Sequence, residues 1–141
     1  MCGIFGILDI KSDASELRPK ALELAKLLRH RGPDWSGIWQ DERAILCHER
    51  LAIVDVDTGA QPLLSDNGKQ VLAVNGEIYN HKELAASECE NYNFATRSDC
   101  EVILPLYQKY GANFIDKLEG MFAFILYDNE SGDYLIARDH M

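Results

Sequence analysis

A cysteine directly follows the first methionine, at the start of the apolar stretch MCGIFGI. If that methionine is removed, Cys2 carries a thiol and a free α-amine on one residue. The ordinary pKa of such an amine, about 8, lies close to that of a thiol, about 8.5, so the amine can take the thiol proton. This arrangement indicates an N-terminal nucleophile. From position alone, however, a small buried apolar side chain is the commoner role of such a cysteine.

The segment LAVNGEIYN places Asn75, Gly76 and Glu77 in succession. An Asn-Gly pair between alternating apolar residues is a strong hairpin signal, and this rule alone predicts a turn here. The same pair offers a side-chain amide and an unobstructed backbone N–H, which together can donate to an oxyanion. Glu77 beside them can meet an ammonium group. The sequence leaves the turn and the oxyanion site as alternatives.

Arg50, in HERLAIVD, and Asp99, in SDCE, complete the candidate set. An arginine between polar residues and an apolar strand is usually solvated, but it can also bind a carboxylate through two hydrogen bonds. Asp99 falls in the first turn of a predicted helix, where a carboxylate complements the helix dipole; it faces a ligand's ammonium only if that helix start lines a pocket. Together, these groups suit an α-amino acid that carries a side-chain carbonyl.

The elements that position these residues form a layered pattern of about six to eight strands and two main helices. The helices are predicted in ELRPKALELAKLLRHRG and RSDCEVILPLYQKYG, the second with Ser98 and Glu101 at capping-box spacing and a kink at Pro105. The strands in CGIFGILDI and GMFAFILYD are apolar on both faces and must therefore lie between layers. The pattern predicts an α+β fold.

Composition restricts the partners and the compartment. The chain has 141 residues, of which 47% are hydrophobic and 26% charged, as in an ordinary globular domain. Its net charge of −9 argues against nucleic-acid and anionic-membrane partners, which need basic patches. No basic signal region and no membrane-length apolar segment is visible. We predict a cytoplasmic protein that binds neither nucleic acid nor membrane.

The four cysteines, Cys2, Cys47, Cys89 and Cys100, show no metal-ligand spacing. We therefore predict no metal site. His48, next to Cys47, is a candidate base, but a lone histidine is more often structural. A metal or redox role for Cys47 and His48 together with Cys100 remains as a weaker alternative.

Seven segments resemble the glutaminase domain of class II glutamine amidotransferases, in the order MCGIFGI, RHRGPD, HERLAIVD, GAQPL, VNGEIYN, SDCEVIL and EGMFAFILYD. Within that class the resemblance is closest to the glutamine-hydrolysing asparagine synthetases of the bacterial B type. It implies an N-terminal-nucleophile hydrolase fold, a four-layer αββα sandwich of antiparallel sheets. The RHRGPD segment matches a loop near the site to which we assign no catalytic step.

The resemblance also implies roles for individual residues. Cys2 matches the nucleophile, exposed after methionine removal, and Asn75 and Gly76 match the oxyanion hole. Asn75 and Gly76 also belong to the implied glutamine-binding residues, and Arg50 matches the residue that holds the glutamine carboxylate. Glu77 and Asp99 match the acids that receive the ammonium group. The implied wall of the pocket is formed by Leu51, Ala52, Ile53 and Val54.

The implied activity is hydrolysis of L-glutamine to glutamate and ammonia. In the full family enzymes, the ammonia passes to a synthetase domain in which ATP and Mg²⁺ activate aspartate for conversion to asparagine. Residues 1–141 contain no phosphate-binding loop of the SGGxDS kind, so we expect no cofactor in them. We expect a glutaminase domain that is incomplete at its C-terminal end, with the synthetase domain absent. A homodimer is left open.

Two alternatives remain at this point. The chain could be the glutaminase domain of another class II amidotransferase, of the glucosamine-6-phosphate synthase or amidophosphoribosyltransferase type, although RHRGPD, HERLAIVD and GAQPL favour the asparagine synthetase type. It could also be an inactive regulatory module on the same fold. The presence of Cys2, Arg50, Asn75, Gly76 and Asp99 argues against the inactive module.

Overall fold

The computed structural model describes residues 1–52 and 57–140, which form two antiparallel sheets. A three-stranded sheet has the order β1-β3-β2, and a four-stranded sheet has the order β4-β5-β6-β7. The strands are β1 (Gly3–Ile7), β2 (Trp35–Gln40), β3 (Ile45–Arg50), β4 (Leu63–Leu64), β5 (Gln70–Ile78), β6 (Gly120–Asp128) and β7 (Tyr134–Arg138). The described strands thus agree with the predicted six to eight.

Three α-helices and two 3₁₀ helices accompany the sheets in the described ranges. The α-helices are α1 (Ala14–Lys26), α2 (His81–Glu88) and α3 (Ile103–Tyr110), and the 3₁₀ helices Asp99–Val102 and Gly111–Lys117 flank α3. The side chain of Asp13 caps α1 by accepting a hydrogen bond from the Ser15 N–H at 2.9 Å. No described helix has the length and apolar character needed to cross a membrane.

Side-chain alternation on the strands creates four layers. On β3, Ile45 and Cys47 pack with α1, whereas Leu46 points to the other side and packs with Ala73 of β5 and Tyr127 of β6. On β5 and β6 the remaining alternate residues pack with α3 and the 3₁₀ helices. Because successive side chains of a strand point to opposite faces of its sheet, one apolar cluster forms at each interface between layers. The order is therefore α1, three-stranded sheet, four-stranded sheet, and α2 with α3, which confirms the predicted α+β sandwich.

The helix predictions need correction in two places. The segment RSDCEVILPLYQKYG is not one helix but the 3₁₀ helix Asp99–Val102 followed by α3, and Pro105 lies in the first turn of α3, where a missing N–H is tolerated. The Glu101 carboxylate does not complete a capping box, since it accepts from the backbone N–H groups of Ala95 and Thr96. Helix α2 was not predicted, because Leu84 is its one buried residue.

Candidate active site

A cavity of about 380 Å³ lies at one end of the sandwich, between the two sheets. The start of β1 and the end of β3 reach it from one sheet, and the end of β5, the start of β6 and the end of β7 reach it from the other. Its lining contains these predicted site residues: Cys2, Arg50, Leu51, Asn75, Gly76, Glu77 and Asp99. Ala52 is not part of the lining, and Ile53 and Val54 lie outside the described residues.

Cys2 is held by contacts from three different parts of the chain. Its sulfur accepts a hydrogen bond from the Leu51 N–H at 3.2 Å, and its backbone N–H donates to Asn75 Oδ1 at 2.8 Å. Arg31 Nε donates to the Cys2 carbonyl at 3.3 Å. A backbone N–H aimed at a sulfur is a suitable hydrogen-bond donor to a thiolate. The sequence predicted Leu51 as a pocket wall but not as a donor to the sulfur.

The Asn75 side chain is oriented by its contact with Cys2. Since Oδ1 accepts from the Cys2 N–H, the amide oxygen is directed at the residue that carries the thiol. The Nδ2 group is the other end of the planar amide and offers donors only. The contact with Cys2 therefore leaves the Nδ2 donors of Asn75 available, on a residue that lines the same cavity as Cys2.

The Gly76 N–H faces away from β6. Gly76 pairs with Phe122 in the ladder. On the side of β6 away from β5, the Phe122 N–H donates to Asp139 Oδ2 at 2.7 Å, and the Phe122 carbonyl accepts from the Asp139 N–H at 2.9 Å. Because the N–H and C=O of an antiparallel residue face the same side, the Gly76–Phe122 pair is a non-hydrogen-bonded one. The Gly76 C=O accordingly points to the side of β5 away from β6, where it accepts from the Cys100 thiol at 3.5 Å.

Two neighbouring N–H groups on that side of β5 are already engaged. The Val74 N–H donates to Gln61 Oε1 at 2.8 Å, and the Ile78 N–H donates to Asp99 Oδ2 at 2.6 Å. Gly76 lies between these two residues and lines the cavity, so its N–H faces the cavity edge. The geometry gives one backbone donor there, beside the Asn75 amide.

The predicted hairpin turn at Asn75–Gly76 is wrong, because both residues lie inside β5. Gly76 allows β5 and β6 to approach each other closely at this point. A Cβ at residue 76 would lie 2.1 Å from the Met121 carbonyl oxygen and 2.6 Å from the Phe122 Cα, and the φ angle is +155°. Only glycine fits such a contact without moving β6.

Buried charges surround the cavity. Arg50 and Asp99 are each 7% exposed, which rules out a solvated role for this arginine. Ionised groups at such depth need opposite charges or hydrogen bonds. The Asp99 carboxylate has the Ile78 N–H as one partner, and Glu77 lies on the same lining. The cavity thus combines a guanidinium with carboxylates, a combination suited to a ligand with both charges.

The pKa values of three buried groups, Cys47, His48 and Cys100, are shifted by burial so that their neutral forms are favoured. Burial raises the pKa of Cys47 to about 11, raises the pKa of Cys100 well above its ordinary value, and lowers the pKa of His48 to about 4. Cys47 and Cys100 belong to core clusters in different layers. Among residues 1–52 and 57–140, no cluster of three or more His, Cys, Asp or Glu side chains is arranged to hold a metal ion.

Several residues that line the cavity were not identified from the sequence. Gln61, in the GAQPL segment, supports β5 through the Val74 N–H, and Asp139 supports β6 through the Phe122 N–H. Arg138 and Met121 also line the cavity. The only signal for Gln61 was its motif, since nothing in the spacing places it beside β5.

Comparison with known proteins identifies the class. The fold resembles that of glutamine phosphoribosylpyrophosphate amidotransferase from B. subtilis, with a TM-score of 0.71 and 21% identity over 99% of this chain and 37% of that one. At this identity the likeness shows the fold alone, a layered sandwich of two antiparallel sheets and helices. The model of the glutamine amidotransferase domain family matches residues 1–141. The chain belongs to the glutamine amidotransferase domain family.

Two curated relatives are more similar in sequence. The chain is 64% identical over 141 residues to asparagine synthetase B [glutamine-hydrolyzing] of Escherichia coli (strain K12), covering all of this chain and 26% of that protein. It is 55% identical over 139 residues to a probable asparagine synthetase [glutamine-hydrolyzing] of Schizosaccharomyces pombe, covering 99% and 25%. The chain thus spans about a quarter of the length of these relatives.

Proposed function

We propose that the chain hydrolyses the side-chain amide of L-glutamine to glutamate and ammonia, with Cys2 as the nucleophile. One observation carries this proposal: Cys2, Asn75 and Gly76 line one cavity together with Arg50 and Asp99. A nucleophile, oxyanion donors and groups of both charges are what the hydrolysis of an amino-acid amide needs. Membership in the glutamine amidotransferase domain family supports glutamine as the substrate.

The charged residues of the cavity assign an orientation to the proposed substrate. Arg50 holds the α-carboxylate, because a guanidinium pairs with a carboxylate through two parallel hydrogen bonds. Glu77 and Asp99 receive the α-ammonium group. Leu51 forms part of the wall, and Ala52, Ile53 and Val54 continue the segment that we assign to this wall. The side-chain amide then reaches the sulfur.

In the proposed reaction, removal of Met1 frees the α-amine of Cys2, which takes the thiol proton. The sulfur attacks the amide carbon, a C–S bond forms, and the carbonyl oxygen becomes an oxyanion held by Asn75 and Gly76. The C–N bond then breaks, and ammonia leaves with the proton from the amine. Water, deprotonated by the amine, attacks the thioester; the C–S bond breaks, the sulfur regains a proton, and glutamate is released.

We further propose that the ammonia serves a synthetase activity of a longer protein. Both relatives described above are named asparagine synthetases and are about four times as long as this chain. In this proposal residues 1–141 are the glutaminase part, and a synthetase domain uses ATP and Mg²⁺ to convert aspartate into asparagine. The partners are then L-glutamine and that domain, in the cytoplasm, with no bound cofactor in residues 1–141.

The test compares wild-type protein with Cys2→Ala and Cys89→Ala. Mass spectrometry first establishes that the wild-type N-terminus is Cys2, and glutamate formation from glutamine is then followed over time. We expect Cys2→Ala to lose hydrolysis while it still binds glutamine. Cys89→Ala, which removes a buried thiol outside the cavity lining, should retain the activity. Turnover by Cys2→Ala, or by protein that keeps Met1, would refute the proposed nucleophile.

A further inference from the structure

The loop that joins α1 to β2 lies directly on the end of β3. It contains the RHRGPD segment, to which the proposed reaction gives no role. A Cβ at Gly32 would lie 2.1 Å from the Glu49 carbonyl oxygen and 2.7 Å from the Arg50 carbonyl carbon. The loop backbone is therefore in contact with the strand end that leads to Leu51, and a side chain at residue 32 would separate them.

Asp34, at the end of this loop, binds the chain on both sides of Leu51. Its backbone N–H donates to the Arg50 carbonyl at 3.0 Å, and its Oδ2 accepts from the Ala52 N–H at 2.9 Å. Leu51 lies between these two contacts and donates its own N–H to the Cys2 sulfur at 3.2 Å. Since β3 ends at Arg50, the β-ladder no longer fixes the peptide plane of Leu51, and the Asp34 contacts take over that task.

The same loop also holds the residue that carries the sulfur. Arg31 Nε donates to the Cys2 carbonyl at 3.3 Å. One loop thus contacts Cys2 on one side and both neighbours of Leu51 on the other. The distance between the sulfur and the Leu51 N–H consequently depends on this loop.

We infer that Asp34 is a positioning residue, which keeps the Leu51 N–H aimed at the Cys2 sulfur through its hydrogen bond to the Ala52 N–H. Its described contacts are with backbone groups rather than with Cys2, so it acts through Leu51. For catalysis this inference rests on the proposed glutaminase function. The reactivity of the Cys2 sulfur is a separate consequence that can be measured without glutamine.

The experiment measures alkylation of Cys2 by iodoacetamide at pH 7, with the modified residue located by peptide mapping, in protein whose N-terminus is verified. The variants are Asp34→Ala, Asp34→Asn and a control, Asp41→Ala. Asp41 makes the matching contacts at the opposite end of β2 and β3, where Oδ1 accepts from the N–H groups of Arg43 and Ala44 at 2.7 and 2.8 Å. Thermal unfolding of each variant accompanies the labelling.

We expect Asp34→Ala to slow Cys2 alkylation roughly threefold to tenfold, the effect of one hydrogen bond. Asp34→Asn should stay within about twofold of wild type, because its amide oxygen still accepts from the Ala52 N–H. Asp41→Ala should lose stability but leave the alkylation rate unchanged. The kcat for glutamine hydrolysis should fall in Asp34→Ala by the same factor as the alkylation rate.

Equal alkylation rates for Asp34→Ala and Asp41→Ala would overturn the inference, and so would an Asp34→Asn variant as slow as Asp34→Ala. If the wild type does not hydrolyse glutamine, the proposed function fails. A selective loss of alkylation in Asp34→Ala would still support the positioning role in that case. The two failures are therefore distinguishable.

Discussion

At the scale of single residues, Arg50 combines a permanent charge with a position that is 7% exposed. A hydrophobic side chain at such a depth needs no polar partner. A buried guanidinium must be compensated by hydrogen bonds and opposite charges. The planar guanidinium can bind a carboxylate through two parallel bonds, which an ammonium group cannot do. On the wall of this cavity, Arg50 is therefore suited to an anionic ligand group.

Arg50→Lys tests this assignment. We expect the KM for glutamine to rise roughly tenfold and kcat to change by less than about threefold, because the lysine keeps the charge but loses one of two hydrogen bonds to the carboxylate. Steady-state hydrolysis kinetics provide the measurement. Arg43→Lys is the control, since Arg43 is remote from the cavity and donates to the Asn129 carbonyl at 2.8 Å. An unchanged KM in Arg50→Lys would contradict the assigned role.

The sequence predicted the residues of the cavity better than it predicted their supports. Cys2, Asn75 and Asp99 could be proposed from their chemical types, and the structure places them on one cavity. Gln61 and Asp34 act instead on backbone N–H groups that are distant in the chain, those of Val74 and Ala52. Such contacts depend on how strands and loops meet, and the chemical type of a side chain gives no information about that.

At the scale of elements, β5 shows why the hairpin prediction for Asn75–Gly76 was wrong. The turn rule depends on local conformational preference, whereas the glycine is required by the carbonyl of Met121 on the neighbouring strand. A contact between residues so far apart in sequence leaves no local pattern. Helix α2 escaped prediction for the opposite reason, since its single buried residue, Leu84, gives almost no periodicity.

Gly76→Ala tests the close approach of β5 and β6. We expect it to lower the free energy of unfolding by roughly 3 kcal/mol, because the new Cβ meets the β6 backbone at a strained φ angle. Hydrolysis should also be lost, since relief of the clash moves the residue 76 N–H. Gly68→Ala is the matched control: φ is +72°, but a Cβ there has no neighbour within 4 Å.

Urea denaturation measures both glycine variants under the same conditions. Gly68→Ala should cost about 1 kcal/mol, the backbone strain alone, and should retain hydrolysis. The difference between the two variants isolates the contact with β6. Equal losses of stability in Gly76→Ala and Gly68→Ala would show that the strands separate without cost, and the explanation for the glycine would then be wrong.

At the scale of the whole molecule, the cavity is a product of the layer arrangement. It forms where corresponding ends of both sheets meet, so neither sheet alone contains the candidate site. His48 joins the sheets near this end: its Nε2 donates to the Val74 carbonyl at 2.9 Å, next to Asn75. This contact requires the proton on Nε2, since a carbonyl only accepts. The layered α+β architecture was predictable from the doubly apolar strands, but this link between the sheets was not.

Protonation of His48 should couple the stability of the sandwich to pH. Burial lowers the pKa of His48 to about 4 in the folded protein, whereas an unfolded histidine titrates near its ordinary value of 6.5. Between these two values the unfolded chain binds a proton that the folded protein does not, so stability falls as the pH is lowered from 6.5 to 4. The loss in the free energy of unfolding reaches about 3 kcal/mol below pH 4, and no loss is expected above pH 6.5.

His48→Gln isolates this effect, because glutamine has a side-chain amide that can donate to the Val74 carbonyl and does not titrate. The free energies of unfolding of the wild type and of His48→Gln are measured in urea at a series of pH values from 7.5 to 4. All carboxylates are common to both proteins, so their contributions cancel in the difference. We expect the wild type to lose stability relative to the variant as the pH falls through this window. Parallel pH profiles would show that the imidazole is not held neutral between the two sheets.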